Sequence, residues 1–598
     1  MMISILAGRR FGCALIVLAS LTMTGVARAQ TTNSWISRFG GKWERANRWD
    51  NGLPSINQSA LIISNAVSKT VTINAYTARR FPNSLLISNL TVSAQRGVNN
   101  TLFLDRTAAV ALHVVNGLTI GLNPDTPFGA GGSKLISVNS TLIVDGLPGG
   151  QLQDDGTMVV TGGSLITTNC SLLVADDNAA GLLMISRAVV RARDVTIASG
   201  AHSSGTIEVS GGTMTLSSSL TVGNGFQDAP GSMLVANGAL LVVTNDETDI
   251  GGAQESSGNL TVSNATFLAA DVFLGGTKSE GELTINDSTV TLSGELGIGA
   301  GGEQCSGSVS LDGGMLVVTN GQTHLGVGSP SVGSLAVADG LFLARDVYVG
   351  ANESEGALFI NGGVSILSSN LQIGVLGSEA TVSIAGGQLF VTNAPLVVDD
   401  NGQCDVSGGQ LAAKVIELGS FDEGTFTVNS GSVTVSEGMT LGDCSDASAV
   451  GFATVDGGEL TVTNAGSTGF IDVRNGQLIL GGGVVRVDKL VMTNTCSSLV
   501  HTGGTLMVGS VVLDPNAFGV ISVAQEGNDV RVTWLMGPGQ TNALQAQFTR
   551  TQHHHLTNEF VDIFIVANNT TPGVVTNYLD VGAATNVPAR VYRASLSP

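Results

Sequence analysis

The sequence predicts an all-β protein: a right-handed parallel β-helix, or β-solenoid, followed by a small β-sandwich. Three observations support this fold class. A short glycine-containing phrase recurs through most of the 598 residues, apolar and polar residues alternate after each copy, and no stretch keeps the 3.6-residue apolar period of a helix. A solenoid grows along one axis, so the length of the chain does not by itself call for several globular domains.

Each copy of the repeat is a Gly-Gly or Asn-Gly pair, one variable residue and then alternating apolar positions. Successive copies lie about 22 to 27 residues apart. A constant period of this length is typical of stacked repeats. The clearest copies begin at Gly211, Gly313, Gly386, Gly408, Gly457 and Gly503.

One repeat contains two or three short strands. In residues 258–281, Leu260 and Val262 alternate with polar residues, Asn264 begins a turn, Phe267 opens a second strand and Asp271–Leu274 forms a third. A propeller blade needs four strands and about 40 residues, which is more than this repeat offers. The pattern predicts about 18 stacked coils and a rod about 80 to 90 Å long, since parallel strands lie about 4.8 Å apart.

Composition and charge exclude several classes of protein. Charged residues make up only 12 % of the chain, yet the dense Val, Leu and Ile alternation is too apolar for a disordered segment. The formal net charge is −21, and removal of three arginines with the signal described below would leave 23 − 47 = −24. Nucleic acid is therefore not an expected partner, because phosphate binding needs a basic surface.

The first 29 residues read as a secretory signal. Arg9 and Arg10 precede an apolar stretch, and Ala27-Arg28-Ala29 offers a small-residue cleavage site before Gln30. An uncleaved anchor is the alternative. No later apolar run reaches 18 residues, so we expect no membrane span in the mature chain and a secreted or cell-surface protein.

The pattern divides the remaining chain into three parts. Residues 30–75 contain Trp35, Trp43 and Trp49 and are predicted to cover the open edge of the first coil. Glycan binding by these tryptophans is an alternative. Residues 76–514 carry the repeats, and residues 515–598 form a different segment. In that segment, alternation around Val530 leads into Trp534 and predicts a fibronectin/Ig-like β-sandwich.

Both ends resemble parts of large secreted bacterial repeat proteins. The segment from Trp35 to Pro54 is similar to the G-x-W, A-x-x-W and G-x-P opening of proteins with autotransporter-associated β-strand repeats or pectin-lyase-like β-helices. The Gly527–Trp534, Thr541–Gln545, Tyr578–Asp580 and Ala589–Arg593 stretches resemble a Verrucomicrobia-type C-terminal β module. The resemblance implies a passive surface β-helix or a polysaccharide-cleaving relative of one.

Few residues on the predicted coils suit catalysis. Between Asp194 and Ala413 the only basic residues are Lys278 and Arg345, although cleavage of anionic glycans needs cationic groups. Adjacent acids point to opposite faces of a strand, so a neighbouring pair is not a catalytic dyad. Because the acidic pairs sit beside Gly or Asn at probable loops, we interpret them as solvated turn residues, with calcium ligation and catalysis left open. These pairs are Asp154-Asp155, Asp176-Asp177 and Asp399-Asp400.

The histidines and cysteines give weaker signals. His202 and His324 are interpreted as isolated surface residues, and the run His553–His555 as an exposed loop. Five cysteines follow the signal, and their spacings match neither a zinc site nor a disulfide framework. A pairing of Cys404 with Cys444 in neighbouring coils is left open as an alternative.

These observations favour a secreted or surface structural protein with an adhesin-like role, without enzymatic activity, catalytic residues, cofactor or metal. Extracellular polysaccharide or other surface components are the expected partners. Two alternatives stay open: a carbohydrate-active β-helix enzyme, and a non-catalytic glycan-binding protein. The enzyme would need carboxylates that converge in a groove.

Overall fold

The computed structural model describes residues 31–64, 67–95, 97–107, 110–121, 132–147, 150–514, 519–536, 541–548, 560–566, 575–584 and 590–597. The predicted signal, with Ala29 and Gln30 at its cleavage site, and His553–His555 lie outside these residues. The fold class is confirmed: the chain is all-β, with a parallel β-solenoid of about 17 turns followed by a small β domain.

The solenoid contains 44 strands, one short α-helix (α1, Ala75–Arg80) and two 3-10 turns (Ala46–Arg48 and Pro82–Leu85) within the described residues. In chain order its strands are β1 Thr31–Ser34, β2 Gly41–Lys42, β3 Gln58–Ile63, β4 Lys69–Asn74, β5 Leu86–Val92, β6 Asn99–Asp105, β7 Leu112–Ile120, β8 Gly132–Val144, β9 Leu152–Asp154, β10 Thr157–Thr167, β11 Leu172–Val174, β12 Ala180–Ala192, β13 Val195–Ile197, β14 Ser204–Leu216, β15 Leu220–Val222, β16 Ala229–Ala236, β17 Leu240–Val243, β18 Thr248–Ile250, β19 Ser256–Ser263, β20 Thr266–Ala269, β21 Val272–Gly276, β22 Glu280–Leu292, β23 Leu296–Gly301, β24 Ser306–Val318, β25 Gln322–Val327, β26 Val332–Val337, β27 Leu341–Ala344, β28 Asp346–Ala351, β29 Glu355–Ile360, β30 Val364–Leu367, β31 Leu371–Ile373, β32 Glu379–Ile384, β33 Gln388–Val398, β34 Gly402–Val406, β35 Gln410–Leu418, β36 Gly424–Val428, β37 Ser432–Leu441, β38 Gly451–Val455, β39 Glu459–Val462, β40 Phe470–Val473, β41 Gly476–Leu480, β42 Val484–Met492, β43 Ser497–His501 and β44 Thr505–Leu513.

Each coil contributes one strand segment to each of three parallel sheets. In the coil that begins near residue 256, β19 belongs to the first sheet, β20 to the second and β21 to the third. Each segment pairs in parallel with the same segment of the next coil. In several coils the first two segments run on as one bent strand, as in β22, which pairs with both β19 and β20.

The core consists of like side chains stacked from coil to coil. In the first sheet Leu260 pairs with Leu283, and in the second Phe267 pairs with Val290; all four side chains are fully buried. One continuous cluster of buried residues extends from the first coils to the last. Burial of each such side chain contributes about 1.5 to 3 kcal/mol to stability. A side chain is buried only when the neighbouring coils cover it, so no coil is stable alone.

Glycine is required where the end of the third sheet meets the start of the first. The backbone of Gly258 passes so close to the preceding coil that a Cβ atom there would lie 2.2 Å from the backbone of Gly251 and Val222. Gly251 itself has a φ of 69°, in the left-handed region that favours glycine. The turn predicted at Asn264 is likewise left-handed, with a φ of 48°.

The three N-terminal tryptophans are packed into the first coils. Trp35, Trp43 and Trp49 are at most 2 % exposed, and the Trp49 ring meets the other two edge to face at centroid distances of 5.2 and 5.0 Å. The indole N–H of Trp43 donates to the Ser84 carbonyl oxygen at 3.1 Å. Their rings are therefore turned away from solvent. That they cover the open edge of the first coil stays a prediction.

In its described residues the C-terminal domain has six antiparallel strands: β45 Gly519–Glu526, β46 Asp529–Leu535, β47 Thr541–Phe548, β48 Val561–Val566, β49 Val575–Asp580 and β50 Arg590–Ser597. They form two sheets, ordered β45-β46-β49 and β48-β47-β50. Buried Trp534 meets Phe564 of the other sheet edge to face. No helix in the described part of the chain is long and apolar enough to span a bilayer.

Candidate functional site

A row of aromatic side chains runs along the outer side of the third sheet. Phe273, Gly297, His324 and Tyr348 occupy the same position in β21, β23, β25 and β28, and each pairs with the next. The residues on either side of each position, such as Val272 and Leu274, are fully buried, so these four face outward. We call this row the aromatic ladder.

The aromatic ladder has two parts. The rings of His324 and Tyr348 are stacked, with centroids 5.1 Å apart and an interplanar angle of 15°. The Phe273 ring leans over Gly297, where a Cβ atom would lie 2.6 Å from ring atom Cδ1. Because Gly297 has no side chain, the phenyl ring of Phe273 can pack over its backbone. The result is an aromatic surface that extends over four consecutive coils.

Polar groups border the ladder around His324. Its Nε2 atom lies 3.2 Å from Gln322 Oε1 and 3.5 Å from Glu295 Oε1. Burial lowers the pKa of His324. Burial, with the nearby charge of Asp271, raises the pKa of Glu295. Both directions oppose an ion pair, so burial outweighs the attraction between the two groups and the imidazole is neutral at neutral pH.

Two further acids stand at the ends of the ladder. Asp249, one coil before Phe273, has a pKa raised to about 6 by burial and by the charges of Glu247 and Asp246. At the other end, Arg345 Nε donates to Asp346 Oδ2 at 2.7 Å, beside Tyr348. Aromatic faces bordered by hydrogen-bonding groups are the arrangement that recognises sugar rings, because the ring carbons stack and the hydroxyls find partners.

The interpretation of His324 as a surface residue holds, since it faces outward from the third sheet, but its interpretation as isolated was wrong. Its ring is half-buried and stacked on Tyr348, and the two residues are 24 positions apart, which is one coil. That separation was the signal available in the sequence. His202, by contrast, is exposed in a turn.

The interpretation of the acidic pairs as solvated turn residues was wrong for three of the six carboxylates. Asp154 is buried in the core, Asp155 is 9 % exposed, and Asp399 is 2 % exposed. Asp399 accepts hydrogen bonds from the backbone N–H groups of Phe421 and Asp422, so it holds a loop of the next coil. Asp176, Asp177 and Asp400 are partly or fully exposed, and Asp176 N–H donates to Asp155.

The cysteine alternative was also wrong. Cys404 is buried in the first-sheet core column, where it cannot reach Cys444. Cys444 instead lies beside Cys496, with the two sulfur atoms 2.9 Å apart. Among the described residues, no group of three or more His, Cys, Asp or Glu side chains is placed to hold a metal ion.

Comparison with known proteins gives one distant similarity. Over 315 residues, 48 % of this chain, the sequence is 25 % identical to outer membrane protein A of Rickettsia rickettsii. The match spans only 13 % of that protein's length. No protein-family model matches the chain. No solved structure matches it either.

Proposed function

We propose that the chain is a non-enzymatic, adhesin-like rod at the cell surface that contacts extracellular polysaccharide through the aromatic ladder. The uninterrupted solenoid of about 17 turns supports a role as an extended scaffold. The similarity to a protein named as an outer membrane protein supports the location. The main support for the aromatic ladder as the contact surface is the stacking of the His324 and Tyr348 rings.

The ladder suits a neutral or weakly charged glycan. A neutral His324 offers one ring nitrogen as a donor and the other as an acceptor, and the amide of Gln322 adds both kinds of group. The guanidinium of Arg345, three residues before Tyr348, is already paired with Asp346. A strongly anionic polymer would meet the carboxyl groups of Asp249, Asp271 and Glu295 along the ladder, and its binding is therefore disfavoured.

The experiment is a polysaccharide-binding assay on the full chain. H324A, Y348A and the double variant are compared with F452A, which removes an outward-facing aromatic residue from the first sheet. Since stacking on one aromatic ring is worth about 0.5 to 1.5 kcal/mol, each single ladder variant should weaken binding about 2- to 12-fold and the double variant more, while F452A leaves it unchanged. Equal binding by all variants, or silence across a broad glycan array, would reject the ladder as the contact surface.

The second candidate is a carbohydrate-active enzyme, and the raised pKa of Asp249 favours it. A carboxyl with a pKa of about 6 is partly protonated near neutral pH, as a general acid must be. This candidate predicts slow release of reducing ends from a bound polysaccharide. The release should be abolished in D249N and retained in D177N, which changes an exposed acid elsewhere on the solenoid.

A further inference from the structure

Two exposed cysteines meet near the C-terminal end of the solenoid. The thiol sulfur atoms of Cys444 and Cys496 are 2.9 Å apart, and both residues are exposed. The other described cysteines, Cys170, Cys305 and Cys404, are buried. Only this pair therefore combines a thiol partner with access to solvent-borne reagents, within the part of the chain that the structure describes.

The pair joins loops that are two coils apart. Cys444 precedes strand β38, which begins at Gly451, and Cys496 precedes β43, which begins at Ser497. Between them lies the coil of β41, since Gly451 pairs with Gly476 and Gly476 with Ser497. A covalent link between the sulfurs would span three successive coils and close a loop of 52 residues.

The backbone already holds both cysteines in place. The Cys444 loop is closed by a hydrogen bond from Asp443 N to Ala449 O at 2.9 Å. The Cys496 carbonyl oxygen accepts from Gly476 N at 3.2 Å. The side-chain amide of Asn475 also donates to the Ala449 carbonyl oxygen at 3.0 Å, which ties the Cys444 loop to the intervening coil. Little backbone freedom remains to be lost when the sulfurs join.

The coils beyond this point have the weakest burial in the solenoid. Every residue of β43 is at least partly exposed, and β44 has no fully buried residue, whereas the earlier strand β38 buries every second residue. Few buried contacts make an end coil prone to local opening. A cross-link at this point would restrain local opening of the coils that have the fewest buried side chains.

We propose that Cys444 and Cys496 form a disulfide bond in the exported protein, and that this bond clamps the last coils of the solenoid. The oxidant is a disulfide-bearing thiol oxidant of the export compartment. One cysteine thiolate attacks a sulfur of the oxidant and releases one oxidant thiolate. The second cysteine then attacks that mixed disulfide. The protein loses two protons and two electrons, and the oxidant gains both as two thiols.

The first test is the state of the thiols. The exported form, residues 30–598, is reduced, freed of reductant, incubated with glutathione disulfide, and then treated with a maleimide in the folded state. We expect maleimide-accessible thiols to fall from two to none. Non-reducing digestion should yield one peptide pair joined through Cys444 and Cys496, lighter than the separate peptides by two hydrogen atoms. Maleimide or glutathione on both cysteines after this treatment would overturn the proposal.

The second test asks whether the bond clamps the end coils. Hydrogen exchange of residues 497–513 is compared in oxidised and reduced protein, in C444S and C496S, and in C305S as a matched control. We expect exchange there to be on the order of tenfold faster without the bond, because closing a long loop restricts the opened state. C305S should behave as the unmodified protein. Identical exchange of these strands in the oxidised and reduced forms would reject the clamp.

Discussion

Asp154 occupies a position in the core at which its stacked neighbours are aliphatic. It pairs with Ile120 on one side and with Val174 on the other, and it is fully buried. Its Oδ1 accepts from Gly156 N at 3.2 Å, and within the described residues Oδ2 has no hydrogen-bond partner. Burial, with a smaller effect of the Asp155 charge, raises the pKa of Asp154 from 3.8 to about 8.

This pKa has a definite consequence for stability. Between pH 4 and pH 8 the folded protein holds a proton on Asp154 that the unfolded chain has released, so stability falls as pH rises through this window. At about 1.4 kcal/mol per pH unit, the difference between 3.8 and about 8 amounts to about 6 kcal/mol, of which about 4 kcal/mol is lost by pH 7. Above pH 8 the loss is complete.

Replacement by valine, Asp154→Val, continues the aliphatic column and removes the titrating group. We expect D154V to be more stable than the unmodified protein by about 4 kcal/mol at pH 7. At pH 4 the gain shrinks to the smaller cost of burying a neutral carboxyl group. The gain should be local, because each coil contacts only its neighbours.

The assay is hydrogen exchange of β9, β10 and β11 at about pH 4.5 and about pH 8.5, corrected for the intrinsic exchange rate and supported by thermal unfolding midpoints. Comparing D154V with the unmodified protein removes the pH dependence of the other acids. D177N, at an exposed carboxyl nearby, is the matched control. If both proteins lost protection in parallel between the two pH values, Asp154 would not be the source of the pH dependence and the reasoning would fail.

Three further predictions concern packing. F426A should cost about 3 to 5 kcal/mol in local unfolding free energy by hydrogen exchange, because a buried ring is lost from the core; a cost below that of an exposed substitution would contradict it. G258A should lower the thermal midpoint more than G238A, since a Cβ at Gly258 meets backbone at 2.2 Å, whereas at Gly238 a Cβ has open space and adds only the strain of a left-handed φ of 74°; equal midpoints would refute this. W43A should expose Trp49 to fluorescence quenchers and open the first coil, and unchanged quenching would contradict it.

The architecture was predictable from sequence because each rule acts within one coil. Alternation around Leu260 identifies an inward face, and Asn264 marks a left-handed turn that few other residues tolerate. Those two signals, repeated in every coil, identify the stacked architecture even though the spacing between copies varies by a few residues. Both signals can be read without knowing which residues of neighbouring coils lie side by side on the surface.

The candidate site was harder to predict because it depends on register between coils. His324 and Tyr348 become neighbours only when each coil is aligned residue by residue, and the spacing of the repeats varies. The same difficulty hid the contact of Cys444 with Cys496, which skips one coil. Asp154 was misplaced for a different reason: the pair was assigned to a turn, whereas Asp154 is the last residue of β9 and its side chain points into the core.

The parallel pairing of every coil with the next makes the reach of this rod adjustable in single steps. Because neighbouring windings present equivalent backbone edges, one whole repeat could be removed or duplicated and the flanking strands would still find matching partners. Each added winding would extend the rod by about 4.8 Å without disturbing the windings already there. A chain with more or fewer windings would then carry the aromatic ladder at a different distance from the ends of the rod.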